Sequence, residues 1–367
     1  MRVVVAPDKF AGTLTAPEAA AAIADGWRRT APGDDLVLAP MADGGPGFVD
    51  ALHAALGGRL EVVTVPGPLG DPTPVAVLVA GDTAYVESAQ ACGLHLVTER
   101  DPLHASTRGV GEALAAAVDA GARRVVVGLG GSATNDGGAG LLAALGATAS
   151  RPLDAGPLAL EGVRDVDLEP ARARLAGGEL VVAADVETTL LGMFGATKVF
   201  GPQKGLTEDQ ILTVDRLLDR YVDAVCGSTP AERRVADAPG AGAAGGLGFA
   251  LLVLGGRVTS GIELVAEASG LDARVAAADL VVTGEGAFDY SSRAGKVVYG
   301  VAAIAMRHAR PCVVVAGRVD VGAREMRALG VESAYALVDR VGERDALADP
   351  ARHLADLAAR VARTWSR

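Results

Sequence analysis

Aromatic side chains make up only 4% of this 367-residue chain, and cysteines number three. Cys92, Cys226 and Cys312 stand far apart without metal-ligand spacing, which excludes a disulfide framework and a thiolate zinc site and suits reduced thiols. The five histidines are equally scattered, so zinc has no imidazole set either. No basic tract offsets the net charge of −11, which disfavours nucleic acid and anionic membranes; an anionic substrate must then be met by a local cluster. The longest apolar run, near Leu247–Leu254, is too short to span a bilayer. Arg2–Ala6 passes at once into Pro7-Asp8-Lys9, which is not a secretory leader. The expectation is a cytoplasmic protein, monomer or homodimer, whose partners are small molecules.

What the chain has in quantity is Gly, Ala, Val and Leu, with half its residues apolar. That composition and length suit two α/β domains in which small residues let helices lie close on parallel strands. A dense glycine cluster falls within Arg124–Gly146. Val125–Val127 reads as a buried strand that empties into Gly128, Gly130, Gly131, Gly137, Gly138 and Gly140, with Ser132, Thr134, Asn135 and Asp136 between them. Backbone N–H groups at a helix start, together with hydroxyls, form an anion site, so phosphate or carboxylate is the expected guest. The competing account is a tight turn whose polar residues only cap the helix.

In chain order, strand Arg2–Ala6, helix Glu18–Arg29, strand Leu36–Pro40, helix Phe48–Leu56 and strand Leu60–Val65 form a β-α-β-α-β start. Thr15 and Glu18 make a capping box for the first helix. Pro66–Pro72 is turn-rich, and Val75–Val79 with Thr83–Glu87 reads as a hairpin. From Asp279 the alternation resumes with strands Leu280–Thr283, Cys312–Ala316 and Ala334–Leu337 and the closing helix Pro350–Trp365. The fold class expected is α/β, with a doubly wound, six-stranded parallel Rossmann-like sheet of order 3-2-1-4-5-6. Its switch point lies between the first strand and Leu280–Thr283, where ligands bind in open α/β sheets. Residues 1–66 and 276–367 would form this discontinuous domain. Residues 67–275 would be an inserted α/β domain carrying the GGSATNDGG and FGPQKG loops.

Taken together, the strings APDKFAGTLTA, MADGG, RDPL, TRGVGEAL, GLGGSATNDGGAG, FGPQKG, PGAGAAGG, SGIELV and TGEG, with Asp289 and Gly295-Lys296, resemble the bacterial type I glycerate kinase family nearly end to end. The resemblance implies a two-domain kinase that moves the γ-phosphoryl group of ATP, with Mg²⁺, onto D-glycerate. The product implied is 2-phosphoglycerate, and less readily 3-phosphoglycerate. Several loop positions depart from the family pattern: Ala11 where Lys is common, Pro46 for an acidic residue, and Thr188-Thr189 for Asn-Pro. Ala287 stands for Arg, and Ser291 and Ala294 for Gln and His. Each loss removes a group able to hold a carboxylate, hydroxyl or phosphate.

Phosphoryl transfer needs cationic clamps, carboxylates that hold a metal, and a group that orients the attacking hydroxyl. The residues expected to act in catalysis are Asp8, Asp136, Asp185 and Asp289, with Asp43 and Asp185 as metal ligands. The expected substrate and phosphate contacts are Gly130, Gly131, Ser132, Thr134, Asn135, Lys204, Arg108, Lys296, Lys9, Gly284 and Glu285. Glu87 reads equally as a buried carboxylate bonded to backbone. Two other functions compete: a kinase for a related hydroxy acid or a ligand-binding homologue with impaired catalysis, and a dinucleotide-binding oxidoreductase. The second is motivated by Gly128-x-Gly130-x-x-Ala133 after a strand, although no acidic residue ends a following strand.

Overall fold

The computed structural model describes residues 1–10, 12–289 and 296–366; Ala11, Ser291, Ala294 and Gly295 lie outside the described residues. The strands in chain order are β1 (Arg2–Val5), β2 (Asp35–Leu38), β3 (Arg59–Pro66), β4 (Pro72–Ala80), β5 (Thr83–Glu87), β6 (Arg124–Gly128), β7 (Glu179–Ala183), β8 (Arg257–Thr259), β9 (Leu280–Thr283), β10 (Ala287–Phe288), β11 (Cys312–Ala316), β12 (Arg318–Val319) and β13 (Ser333–Ala336). The chain divides into two compact units. Unit 1 comprises Met1–Asp43, Asp50–Gly57 and Gly261–Arg367; unit 2 comprises Gly44–Val49 and Gly58–Ser260.

The sheet of unit 1 runs β13-β11-β9-β1-β2, with every neighbouring pair parallel. Buried Val3, Val5, Leu280, Val282, Val313 and Val315 carry its core, as near-continuous apolar runs do in sheets covered on both faces. The sheet has five strands where six were expected. The third predicted strand, β3, instead pairs antiparallel with β4 from Arg59↔Val79 to Pro66↔Pro72 in the other unit. The physical reason is local: the turn at Pro66–Pro72 folds β3 straight back on β4, so the two share one long hairpin, and a parallel return to β2 is never made. The expected switch point survives, because β1 pairs with β9 on one side and β2 on the other.

The capping box at Thr15 and Glu18 is formed, and helix Ala16–Thr30 follows it. This helix packs against the last helix, Pro350–Trp365, so closely that a Cβ on Gly26 would lie 1.9 Å from the Ala355 carbonyl oxygen. The first and last helices of the chain thus close one face of the same sheet.

Unit 2 holds a six-stranded mixed sheet of order β3-β4-β5-β6-β7-β8. The β3-β4-β5 portion is antiparallel, and β5 to β8 are parallel. The domain junctions expected near residues 66 and 275 fall at 57/58 and 260/261. The first shifts because β3 belongs to the hairpin. The second shifts because Ile262 packs on Gly300 of helix Val297–Arg307, keeping helix Gly261–Ala268 with unit 1.

Candidate active site

Beyond the carboxyl ends of β1 and β9, unit 1 contains a pocket of about 400 Å³. Asp8, Lys9, Asp43, Glu285 and Lys296 line it, along with Ala287 and Arg318. Backbone bonds fix the two loops that carry most of the charge: Asp8 N–H donates to the Gly284 carbonyl at 2.8 Å, and Gly317 N–H donates to the Glu285 carbonyl at 3.1 Å. Gly284 itself is placed by crowding, since a Cβ there would lie 1.9 Å from the Val315 carbonyl oxygen.

Asp8 is 6% exposed. Burial raises its pKa to about 7; the Lys9 ammonium opposes this, and the carboxylates of Asp43 and Glu285 add to it. Lys9 approaches Asp8 Oδ1 twice, through its N–H at 2.7 Å and its ammonium at 3.6 Å. Lys296 Nζ lies 3.9 Å from Asp289 Oδ1. Five of the expected residues, Asp8, Lys9, Asp43, Glu285 and Lys296, are therefore brought to one pocket, with Asp289 paired to one of them.

The glycine-dense loop lies in unit 2, and several of its glycines pack directly on neighbouring segments. A Cβ on Gly130 would come within 2.7 Å of Gly45 Cα, and one on Gly131 within 2.9 Å of Pro46 Cγ. One on Gly140 would strike Ser106 Oγ at 2.3 Å. These glycines let two chain segments touch, a role equally demanding of small residues. The segment Gly44–Val49 is held in place by Glu87, which is buried and accepts from the N–H groups of Gly47 and Val49 at 3.1 and 3.2 Å.

Asp136 is fully buried. Its carboxylate accepts from Gly138 N–H at 3.0 Å, Gly140 N–H at 3.2 Å, Thr107 N–H at 2.9 Å and the Thr107 hydroxyl at 2.8 Å. Burial raises its pKa, and those four donors pull the other way. Asp136 thus places a carboxylate of the chain itself at the start of helix Ala139–Ala144, where negative charge is favoured. Thr107 was absent from the expected site residues. Its signal was present in the TRGVGEAL string beside Arg108, but a threonine before a helix ordinarily reads as a cap.

Lys204 ends helix Ala196–Lys204, and Gly205 closes that helix in the left-handed conformation. The side chain turns inward, is 2% exposed, and donates to Ser132 Oγ at 3.1 Å and to the Thr134 carbonyl at 2.5 Å. Burial lowers its pKa to about 8, against the pull of Cys92 and Asp136. Asn135 donates to Thr197 Oγ1 at 2.8 Å, and its Oδ1 is buried without a hydrogen-bond partner. Ser260 Oγ lies 2.6 Å from Asp185 Oδ1. Arg108 is taken up at the surface by Glu112 and Asp154.

Of the two expected metal ligands, Asp43 belongs to unit 1 and Asp185 to unit 2. Among the described residues no group of three or more His, Cys, Asp or Glu side chains is arranged to hold a metal ion by itself. No helix among the described residues is long and apolar enough to cross a membrane.

Residues 3–366 match the glycerate kinase family. The chain is 40% identical over 375 residues to the glycerate kinase of Bacillus subtilis (strain 168), covering 99% of this chain and 96% of that one. It is 39% identical over 356 residues to the glycerate 2-kinase of Escherichia coli (strain K12), covering 94% and 92%. A crystal structure from Salmonella typhimurium LT2, described as a candidate glycerate kinase 2, superposes with a TM-score of 0.82 at 38% identity over 99% of this chain and 98% of that one. With an α/β fold built on a parallel sheet, a charged pocket beyond the ends of β1 and β9 and likeness along its whole length, this chain is a kinase that belongs to the glycerate kinase family.

Proposed function

We propose that this kinase transfers the γ-phosphoryl group of ATP to a hydroxyl of D-glycerate, with 2-phosphoglycerate as product. The observation that carries the reading is the gathering of Asp8, Lys9, Asp43, Glu285 and Lys296 around one pocket at the β1/β9 switch point. Asp8, with a pKa near 7, is suited to take up the proton of the acceptor hydroxyl as phosphorus–oxygen bonding develops. Lys9 and Lys296 supply positive charge toward phosphate or the acid's carboxylate. Asp289 is a positioning residue in this scheme, orienting the Lys296 ammonium.

Asp43 and Glu285 offer carboxylate oxygens only, the donor type that suits Mg²⁺, and an ion held with few protein ligands takes its remaining ones from phosphates and water. When bound, Mg²⁺ supplies charge neutralisation at the phosphate oxygens. In unit 2, Asp136 acts as a positioning residue for the glycine loop, and Asp185 with Ser260 provides a second polar station for ligand.

A related hydroxy acid is the second reading, favoured by Ala287 lining the pocket where the family pattern has an arginine. The test incubates the purified chain with ATP and Mg²⁺, with and without D-glycerate and a panel of small hydroxy acids. ADP release is followed and the product is assigned by phosphorus NMR. Glycerate-dependent ADP release with a signal from the 2-phosphate is expected. Turnover with another acid alone selects the second reading, and no acid-dependent release refutes both.

A further inference from the structure

The unit 1 pocket has two chemically different sides. The residues discussed so far form its charged side. The lining also includes Leu337, Val338, Ala346, Leu347 and Pro350, with Glu343 as the one charged residue among them, from the segment that follows β13 through the short helices Val338–Val341 and Glu343–Ala348. Leu347 is 59% exposed beside this cavity. An apolar wall of that extent has no use for glycerate, in which every carbon bears oxygen and whose volume is far below 400 Å³. A purine has flat apolar faces and a polar edge, and with its ribose it fills a cavity of this size.

The charged side also contains an arginine outside the family motifs. Arg318 of β12 is the register partner of Ala287 of β10, and both line the pocket. The position that lacks a cation therefore has one directly across the strand pair.

We infer that this pocket is the nucleotide subsite, with the purine of ATP lying on the wall from Leu337 to Pro350 and its phosphates extending toward Lys9, Lys296 and Arg318. The inference rests on the kinase reading above and adds which unit takes the nucleotide and by which surface. It also leaves the acceptor hydroxyl of the acid next to Asp8, beyond the γ-phosphate.

Calorimetric titration of ADP with Mg²⁺, and separately of D-glycerate, into the full chain and into Leu347→Asp and Val338→Ser tests it. Leu347 is open to solvent, so its replacement is tolerated by the fold, and an unchanged Tm checks this. The expected result is ADP affinity weakened roughly tenfold, the size of losing one buried aliphatic contact, with D-glycerate affinity changed by less than about twofold. ADP binding undiminished in both variants, or loss of glycerate binding instead, overturns the assignment. If the variants keep both ADP binding and glycerate-dependent turnover, only the pocket assignment falls. If the parent chain neither binds ADP nor forms it, the kinase reading falls with it.

Discussion

The Thr107 hydroxyl donates to Asp136 Oδ2 at 2.8 Å and accepts from Leu141 N–H at 3.0 Å, so one oxygen joins the start of helix Arg108–Asp119 to that of helix Ala139–Ala144. Asp136→Asn turns an acceptor of four hydrogen bonds into a group that must face some of those donors with its own. A loss of about 1–3 kcal/mol in unfolding free energy is expected, with Thr107→Ala costing less and Thr107→Ser nearly neutral. Urea denaturation of the three variants measures this. Stability unchanged in Asp136→Asn would show that the carboxylate has no positioning role.

Lys204 carries a pH signature. Its folded pKa of about 8 lies below its ordinary 10.5, so the unfolded chain binds the proton more tightly between those values. The corresponding stability is present above pH 10.5 and lost as pH falls through about 8. Wild-type unfolding free energy should therefore gain over this window relative to Lys204→Met, which lacks the group. Parallel denaturant titrations across the range give the difference directly.

Asp8 acts with the opposite sign. Its folded pKa of about 7 exceeds its ordinary 3.8, so its contribution to stability is full below pH 3.8 and lost as pH rises through about 7. Catalysis needs the ionised form, so kcat/KM should fall roughly tenfold per unit below pH 7. In Asp8→Asn the acid limb should vanish and kcat should drop by about 10²-fold or more. A pH–rate profile of both proteins decides it.

Gly130→Ala places a methyl 2.7 Å from Gly45 Cα, where both sides of the contact are backbone. Neither segment can yield without moving a turn, and a cost of about 1–3 kcal/mol is expected. The lower Tm should appear without any change in ADP affinity, because the nucleotide is assigned to the other unit. Calorimetric melting and ADP titration of the variant provide both readouts.

Much of the architecture could be read from the residues. The apolar runs of β1, β9 and β11, the Thr15 capping box and the hairpin of β4 and β5 follow from short-range pattern, and the structure contains each of them. The partner of β3 could not be read the same way. Leu60–Val65 alternates as well for an antiparallel edge as for a parallel strand, and only the pairing through Pro66–Pro72 distinguishes the two. The same limit applied to the site. Asp8, Lys9 and Glu285 follow strands at the switch point, a place that topology marks. Whether a glycine loop cradles a ligand or another loop depends on what lies opposite, and Gly45 and Pro46 are some eighty residues away in sequence. The wall of Leu337, Val338 and Leu347 carries no motif at all.

The close seating of Gly26 on Ala355 has a consequence for biosynthesis. Unit 1 needs both helix Ala16–Thr30 and helix Pro350–Trp365, so its assembly must wait until the second of them has been made. Unit 2 draws on one nearly unbroken stretch and can consolidate while Gly261–Arg367 is still being made. Release of a nascent polypeptide that lacks helix Pro350–Trp365 would leave the valines of β1 and β9 without their cover, a species for chaperones or proteases to find.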